Sequence, residues 1–412
     1  MHDYIKKILT ARVYDVAIES PLEAMPRLSR RLNNRVLLKR EDLQPVFSFK
    51  LRGAYNKIAQ LPPAMLEKGI ICASAGNHAQ GVALAAQRVG AKATVVMPRT
   101  TPAIKVQAVR DRGGKIVLFG DTYDEACRHA RQLEAEKGLT FIHPYDDPEV
   151  IAGNGTIGME ILRRHPDPIA AIFIAVGGGG LIAGVATYVK FLRPEIKIIG
   201  VEPDDAASMY QALKQGERVT LDQVGIFADG VAVRQVGEET FRLARQTVDE
   251  VMLVTTDEIC AATKDIFDDT RAVAEPAGAL GTAGLKKYVE RTGVTGNNLI
   301  AINCGANINF DRLRHVAERA ELGERREALL AVTIPERPGS FRKFCQALGR
   351  RSVTEFNYRY ADTRQAQVFA GIQLSEGEAE KARIIATLRD HDYPVVDMSD
   401  NEMAKLHIRY MV

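Results

Sequence analysis

Residues 169–189, IAAIFIAVGGGGLIAGVATYV, carry no charge over a length that could cross a bilayer, yet four consecutive glycines, Gly177, Gly178, Gly179 and Gly180, sit at their centre. Each glycine costs a helix about 1 kcal/mol relative to alanine. No basic cluster flanks the run, as a membrane span would require. The segment therefore reads as a strand, a glycine turn and a helix, and no membrane association is expected. A strand that is apolar along its whole length has both faces buried, which happens mainly in parallel sheets covered by helices.

The same alternation recurs along the chain. Strands are expected at 70–74, 93–97, 115–119, 171–176, 196–201 and 299–303. Helices are expected at 52–60, 80–89, 102–112, 123–137, 180–192 and 279–291, where apolar residues follow the helical period. This order predicts a doubly wound α/β body. Residues 312–327, RLRHVAERAELGERRE, are charged enough to read as a solvated helix joining two bodies. Beyond them the order becomes strand 329–334, helix 339–350, strands 353–360 and 367–374, helix 376–390 and strand 394–398, a small α+β module of βαββαβ type. At roughly 150 residues per domain, 412 residues suit two or three domains. The expected division is 1–328 as a two-lobed body, its smaller lobe at about 41–142, and 329–412 as the module.

Composition narrows the function. Lysine and arginine number 55 against 52 acidic residues, too even a balance for a polyanion-binding surface, so nucleic acid is not an expected partner. The five cysteines, Cys72, Cys127, Cys260, Cys304 and Cys345, form no CxxC pair and no zinc-like spacing. Neither a disulfide framework nor a metal site is expected, and a reducing cytoplasm fits. The start, MHDYIKKILT, has the marks of neither a signal peptide nor a transit peptide.

Four windows could carry chemistry. Lys50, in SFKLRGA, is either a surface side chain covering apolar area or a desolvated amine fit to form a Schiff base. SAGNHAQG, from Ser74, follows a strand and opens a helix; it is either an ordinary cap or a set of donors for a carboxylate or phenolate oxygen. Gly177, Gly178, Gly179, Gly180 and Leu181 stand between strand and helix, where main-chain N–H groups can close around a phosphate. They match neither the dinucleotide fingerprint nor a Walker loop. Cys304 ends a strand, either as a small buried residue or at the sheet edge where α/β proteins bind ligands.

Along essentially the whole chain SFKLRGAYNKI, SAGNHAQGVA, VGGGGLIAGVA, FADGVAV, RAVAEPAGAL and CGANINFDRLR occur in an order that resembles the biosynthetic threonine dehydratases. These are pyridoxal 5'-phosphate enzymes of the tryptophan-synthase-β type, fold type II. The resemblance implies Lys50 as the Schiff-base lysine, Phe49 against the cofactor ring, Asn77 on its ring oxygen and Cys304 at its ring nitrogen. It implies Gly177, Gly178, Gly179, Gly180 and Leu181 around the phosphate, and Ser74, Gly76, Asn77 and His78 receiving the substrate carboxylate. The implied reaction is dehydration and deamination of L-threonine to 2-oxobutanoate and ammonia, the first step of isoleucine biosynthesis, with serine as a second substrate.

Serine racemases resemble the chain too, but carry a second serine in SSGNH where this chain has Ala75, so racemisation should be weak. Their metal site pairs the acid matching Glu202 with an aspartate where this chain has Ser208, so that site looks incomplete. Glu275, in AEPAGA, reads either as a border of the ring pocket or as a helix cap. The C-terminal module resembles the regulatory ACT-like domain of these enzymes, with PERPGSF at 335–341 as its signature. It implies isoleucine as feedback inhibitor and valine as its opponent. Many relatives have two such modules, whereas one is legible here, running to Arg409, Tyr410, Met411 and Val412. The family further implies a homotetramer in the cytoplasm. The rival readings are a catabolic serine/threonine dehydratase or racemase, and a non-catalytic amino-acid sensor, which would have no use for Lys50.

Overall fold

The computed structural model describes residues 2–360 and 364–409; Tyr410, Met411 and Val412, where the reading of the chain end falls, lie outside them. Two compact units are present, 1–255 with 265–309, and 256–264 with 310–412.

The first unit holds two sheets. One has the order Leu22–Ala24, Arg35–Arg40, Asn298–Asn303, Ala171–Ala175, Lys197–Pro203, Glu250–Val254, parallel throughout except for its first strand. The other is fully parallel, in the order Lys115–Leu118, Ala93–Met97, Ile70–Ala73, Thr140–Phe141. The apolar segment at 169–189 resolves into the strand Ala171–Ala175, buried at every position, a glycine turn, and the helix Gly180–Leu192. Among the described residues no helix is long and apolar enough to cross a membrane. That helix meets the helix Pro148–Arg164 main chain to main chain: a Cβ on Gly184 would stand 2.7 Å from the Gly155 nitrogen and would overlap the Ile151 carbonyl oxygen.

The six expected strands lie within two residues of their expected bounds. Helices begin earlier than apolar spacing suggests, at Lys50, Asn77 and Pro276, because their first turns are polar or small. Pro148–Arg164 and Glu238–Thr247, and the strands Leu22–Ala24, Arg35–Arg40 and Glu250–Val254, are additions.

Four charged side chains are buried between the helices Lys50–Ile58 and Pro148–Arg164 and the end of the strand Arg35–Arg40. Arg52 donates through Nε to Glu41 (2.7 Å) and through Nη1 to Glu160 (2.6 Å) and Thr156 (3.1 Å). Lys39 donates to Glu160 (2.5 Å) and to the Ser20 carbonyl (2.6 Å). Lys39, Glu41, Arg52 and Glu160 are each at most 1% exposed. Burial disfavours each charge, but Arg52 and Lys39 together hold the Glu41 carboxyl below its ordinary range.

In the second unit an antiparallel sheet, ordered Val353–Tyr360, Gln365–Gln373, Glu327–Pro335, Val395–Asp397, packs on the helices Ser340–Leu348 and Gly377–Asp390 around Phe344, Leu348, Ile384 and Leu388. The helix expected to be solvated is shorter, Arg312–Gly323, and one face of it is buried. Its Arg319 bonds Asp257 and, at 2.6 Å, Glu402, while Lys405 also reaches Asp257. The charges that suggested a solvated linker are thus partly an internal ion cluster.

Removing one member of the buried quartet leaves its partners uncompensated. Glu160→Ala should cost about 3–5 kcal/mol, read as a lower urea midpoint for the cofactor-free protein; an unchanged midpoint would contradict this account.

Candidate active site

The residues before Lys50 are zipped to the segment leaving the strand Asn298–Asn303. Ala306 N–H donates to the Phe47 carbonyl (2.8 Å), Ser48 pairs with Gly305, and Phe49 N–H donates to the Cys304 carbonyl (3.2 Å). This places Lys50 and Cys304 side by side. The Lys50 amine donates to the Pro144 carbonyl (3.1 Å) and lies 5.3 Å from the centre of the Phe49 ring. Lys50 is half-buried, but its amine is enclosed, and burial lowers its pKa to about 8 against the opposing pull of the Glu275 carboxyl. The buried Cys304 thiol donates to the Ala277 carbonyl (3.3 Å), and burial pushes its pKa up, so it stays neutral.

Across the pocket, the helix Asn77–Val89 follows the strand Ile70–Ala73. Gly76 N–H donates to Ser74 Oγ (3.2 Å), and a Cβ on Gly76 would meet nothing within 4 Å, so the helix start faces open space. Asn77 Nδ2 donates to Glu275 Oε1, and its Oδ1 accepts from Asn307 Nδ2, both at 2.6 Å. His78 turns the other way. Its ring is 3% exposed with Nε2 2.9 Å from the Ile142 carbonyl, and burial drives its pKa to about 3. A neutral, inward ring cannot receive a carboxylate, so only the main-chain N–H of this residue is left for that role.

Glu275 stands before the helix Pro276–Thr292 but makes no side-chain cap bond. Of the two readings of this residue, the helix cap fails: the carboxyl bonds Asn77. Burial, helped by the like charge of Asp229 and opposed by the Asn77 hydrogen bond, raises its pKa to about 7.

The glycine loop joins this group through two neighbours. Pro144, which takes the Lys50 hydrogen bond, precedes Tyr145, whose ring occupies the space a Cβ on Gly178 would need and whose Cα would stand 3.0 Å from one on Gly180. On the other side Gly177 lies against Val231, and the adjacent Gly230 against Ala277. Gly179, at φ 93°, takes the left-handed turn into the helix, and Thr240 Oγ1 donates to the Gly178 carbonyl (2.7 Å). The first-turn N–H groups at Gly180 and Leu181 have no acceptor within their own helix. Tyr145, Thr240 and Asn307 were not singled out from sequence. Only Asn307, two residues past Gly305 in CGANI, lay inside a recognised motif.

These groups suit a phosphorylated aromatic aldehyde: an enclosed amine with a pKa of about 8, a neutral thiol, an oriented carboxamide, and a glycine turn whose first helical N–H groups lack acceptors within their own helix. Residues 13–305 match the family of pyridoxal-phosphate dependent enzymes, and the chain is one of them. Residues 318–408 match the C-terminal regulatory domain of threonine dehydratase. The chain is 58% identical, over all of its own length and 82% of the relative's, to the biosynthetic L-threonine dehydratase of Burkholderia multivorans. The structure of the processed form of threonine deaminase isoform 2 from Solanum lycopersicum superposes with a TM-score of 0.77 at 54% identity, covering 78% of this chain and 88% of that one. Maize serine racemase gives 0.72 at 30% identity, over 76% and 96%. The chain belongs to the biosynthetic threonine dehydratases.

Among the described residues no three His, Cys, Asp or Glu side chains stand together as a metal site. Glu202 instead accepts the N–H groups of Met209 and Tyr210 (both 2.8 Å) at the start of the helix Ser208–Gln215, and burial raises its pKa to about 8. The folded chain therefore keeps a proton on Glu202 that the unfolded chain releases near pH 4.5, and this contribution to stability is lost as pH rises through about 8. Glu202→Gln should flatten the fall in unfolding midpoint between these limits; an identical slope in parent and variant would refute the assignment.

Proposed function

We propose that this chain converts L-threonine to 2-oxobutanoate and ammonia, accepts serine as a second substrate, and opens isoleucine biosynthesis. The observation that carries this reading is the Lys50 amine, enclosed beside Cys304 and Phe49 with its pKa lowered to about 8. Lys50 would hold pyridoxal phosphate covalently, Phe49 would pack against its ring, Asn77 would bond its ring oxygen and Cys304 would face its ring nitrogen. Main-chain N–H groups of Gly177, Gly178, Gly179, Gly180 and Leu181 would take its phosphate. When bound, the cofactor supplies an electron sink for charge developing at the substrate α-carbon.

The chain's own residues then do the following. A free Lys50 amine is about half neutral near pH 8, so it can take the α-proton without first losing one. Ser74 Oγ and the N–H groups at the start of the helix Asn77–Val89 bind the substrate carboxylate, which the positive end of the helix favours. The neutral Cys304 thiol offers a ring nitrogen no counter-charge, which favours elimination over prolonged storage of the developing negative charge. Ala75 brings no hydroxyl to return a proton from the opposite face, so elimination outruns racemisation. In the C-terminal module isoleucine inhibits and valine opposes it, and the enzyme works as a cytoplasmic homotetramer.

The purified protein should be yellow, and Lys50→Ala should lose both that band and at least about a hundredfold in rate. Covalent uptake of pyridoxal phosphate by the cofactor-free protein should accelerate with pH around 8, since only the neutral amine attacks an aldehyde. A colourless parent protein would defeat the reading. Initial rates with threonine should fall about fivefold or more on adding isoleucine, and rates indifferent to isoleucine would remove the proposed regulation.

A further inference from the structure

We propose that Glu275 is a positioning residue that, together with Asn307, fixes Asn77 as a hydrogen-bond donor toward the cofactor ring; this rests on the function proposed above. A main-chain carbonyl can only accept, and the Val46 carbonyl accepts from Asn307 Nδ2 at 2.8 Å. That sets which way the Asn307 amide points. The same Nδ2 donates its second hydrogen to Asn77 Oδ1 at 2.6 Å, so the Asn77 oxygen is committed to Asn307 and its Nδ2 faces the other way. There Nδ2 gives one hydrogen to Glu275 Oε1, again at 2.6 Å. Its second hydrogen remains for an acceptor in the pocket. The direction of donation is thus transmitted from one carbonyl through two carboxamides to one carboxyl, across four separate stretches of chain.

Glu275 is built to be the end of this relay. It is 3% exposed, so water competes little for its oxygens, and its own N–H donates to the Gly305 carbonyl at 3.1 Å. A side chain at 305 would collide with Glu275 Oε1, so the glycine there makes the room. The nearby main-chain N–H of Asn307 favours the charged form of the carboxyl. The charged groups that face it are Asp229 and Lys105, themselves paired at 2.6 Å, and the Lys50 amine. Without the carboxyl, the nitrogen end of the Asn77 amide loses a buried acceptor and is free to swing from the ring.

The test uses the cofactor-free full chain and titrates pyridoxal phosphate by its emission, which no tryptophan obscures. Asn77→Ala and Glu275→Ala should each weaken cofactor affinity by about tenfold or more. The double variant should lose no more than the worse single, because both act through one contact. Glu275→Gln keeps an acceptor oxygen and should stay within about threefold of the parent. Parent affinity in Glu275→Ala, or losses that multiply in the double variant, would overturn the proposal. If Glu275→Ala does not fold, Asn307→Ala opens the same clamp from the other side, and parent affinity there is equally fatal. A parent protein that binds no pyridoxal phosphate overturns the function itself, whereas normal binding with an indifferent Glu275→Ala overturns only the role of this residue.

Discussion

Two positive and two negative side chains, Lys39, Arg52, Glu41 and Glu160, meet where no water reaches, and the geometry around Lys50 follows from how they are satisfied. Arg52 lies two residues beyond Lys50 on the same helix. Its guanidinium, bonded to carboxylates on both sides, fixes the rotation of that helix against Glu41, in the turn that follows the strand Arg35–Arg40, and against the helix Pro148–Arg164. A planar fork with several donors suits this better than a lysine would. Burying four charges is not by itself a source of stability, since an apolar replacement of similar shape can do as well. What the quartet supplies is direction: the Lys50 helix has one orientation in which every charge is paired.

The pocket a few residues away shows the opposite outcome of the same physics. In the quartet, opposite charges at hydrogen-bond distance outweigh desolvation at Glu41 and Arg52, whose charged forms are favoured, while at Lys39 burial prevails and lowers the pKa. At Lys50 and Glu275 no equally close countercharge exists among the described residues, desolvation wins, and their pKa values approach each other near neutrality from opposite directions. One region of the protein is electrostatically locked. Its neighbour can exchange protons at working pH, which is what acid and base chemistry on an amino acid needs.

Much of this was legible in the sequence, for identifiable reasons. The strands at 70–74, 93–97 and 171–176 are apolar at nearly every position, and such runs have few alternatives in an α/β chain. The helix Pro148–Arg164 was missed because PEVIAGNGTIGMEILRR places glycines where apolar spacing would be sought; those glycines serve close helix packing, which no local pattern reveals. The charged stretch at 312–327 misled because its partners, Asp257 and Glu402, are remote in sequence. Glu275 was ambiguous for the same reason: next to a helix start it resembles a cap, and only the fold brings Asn77 to it. The strand-to-helix windows are thus legible in the local sequence, while the direction of each side chain depends on pairings across the chain.

The glycine turn after Ala171–Ala175 is continuous with a helix whose Gly184 touches the neighbouring helix through main-chain atoms. Side-chain contacts between helices usually have slack, because rotamers can change while the axes shift slightly. A contact between main chains has almost none. The turn is therefore mounted on a stiff pair of rods, and loosening it requires the two rods to part rather than a single side chain to move. Such a mount fails all at once, so the turn should keep its shape under gradual stress until the helix pair separates.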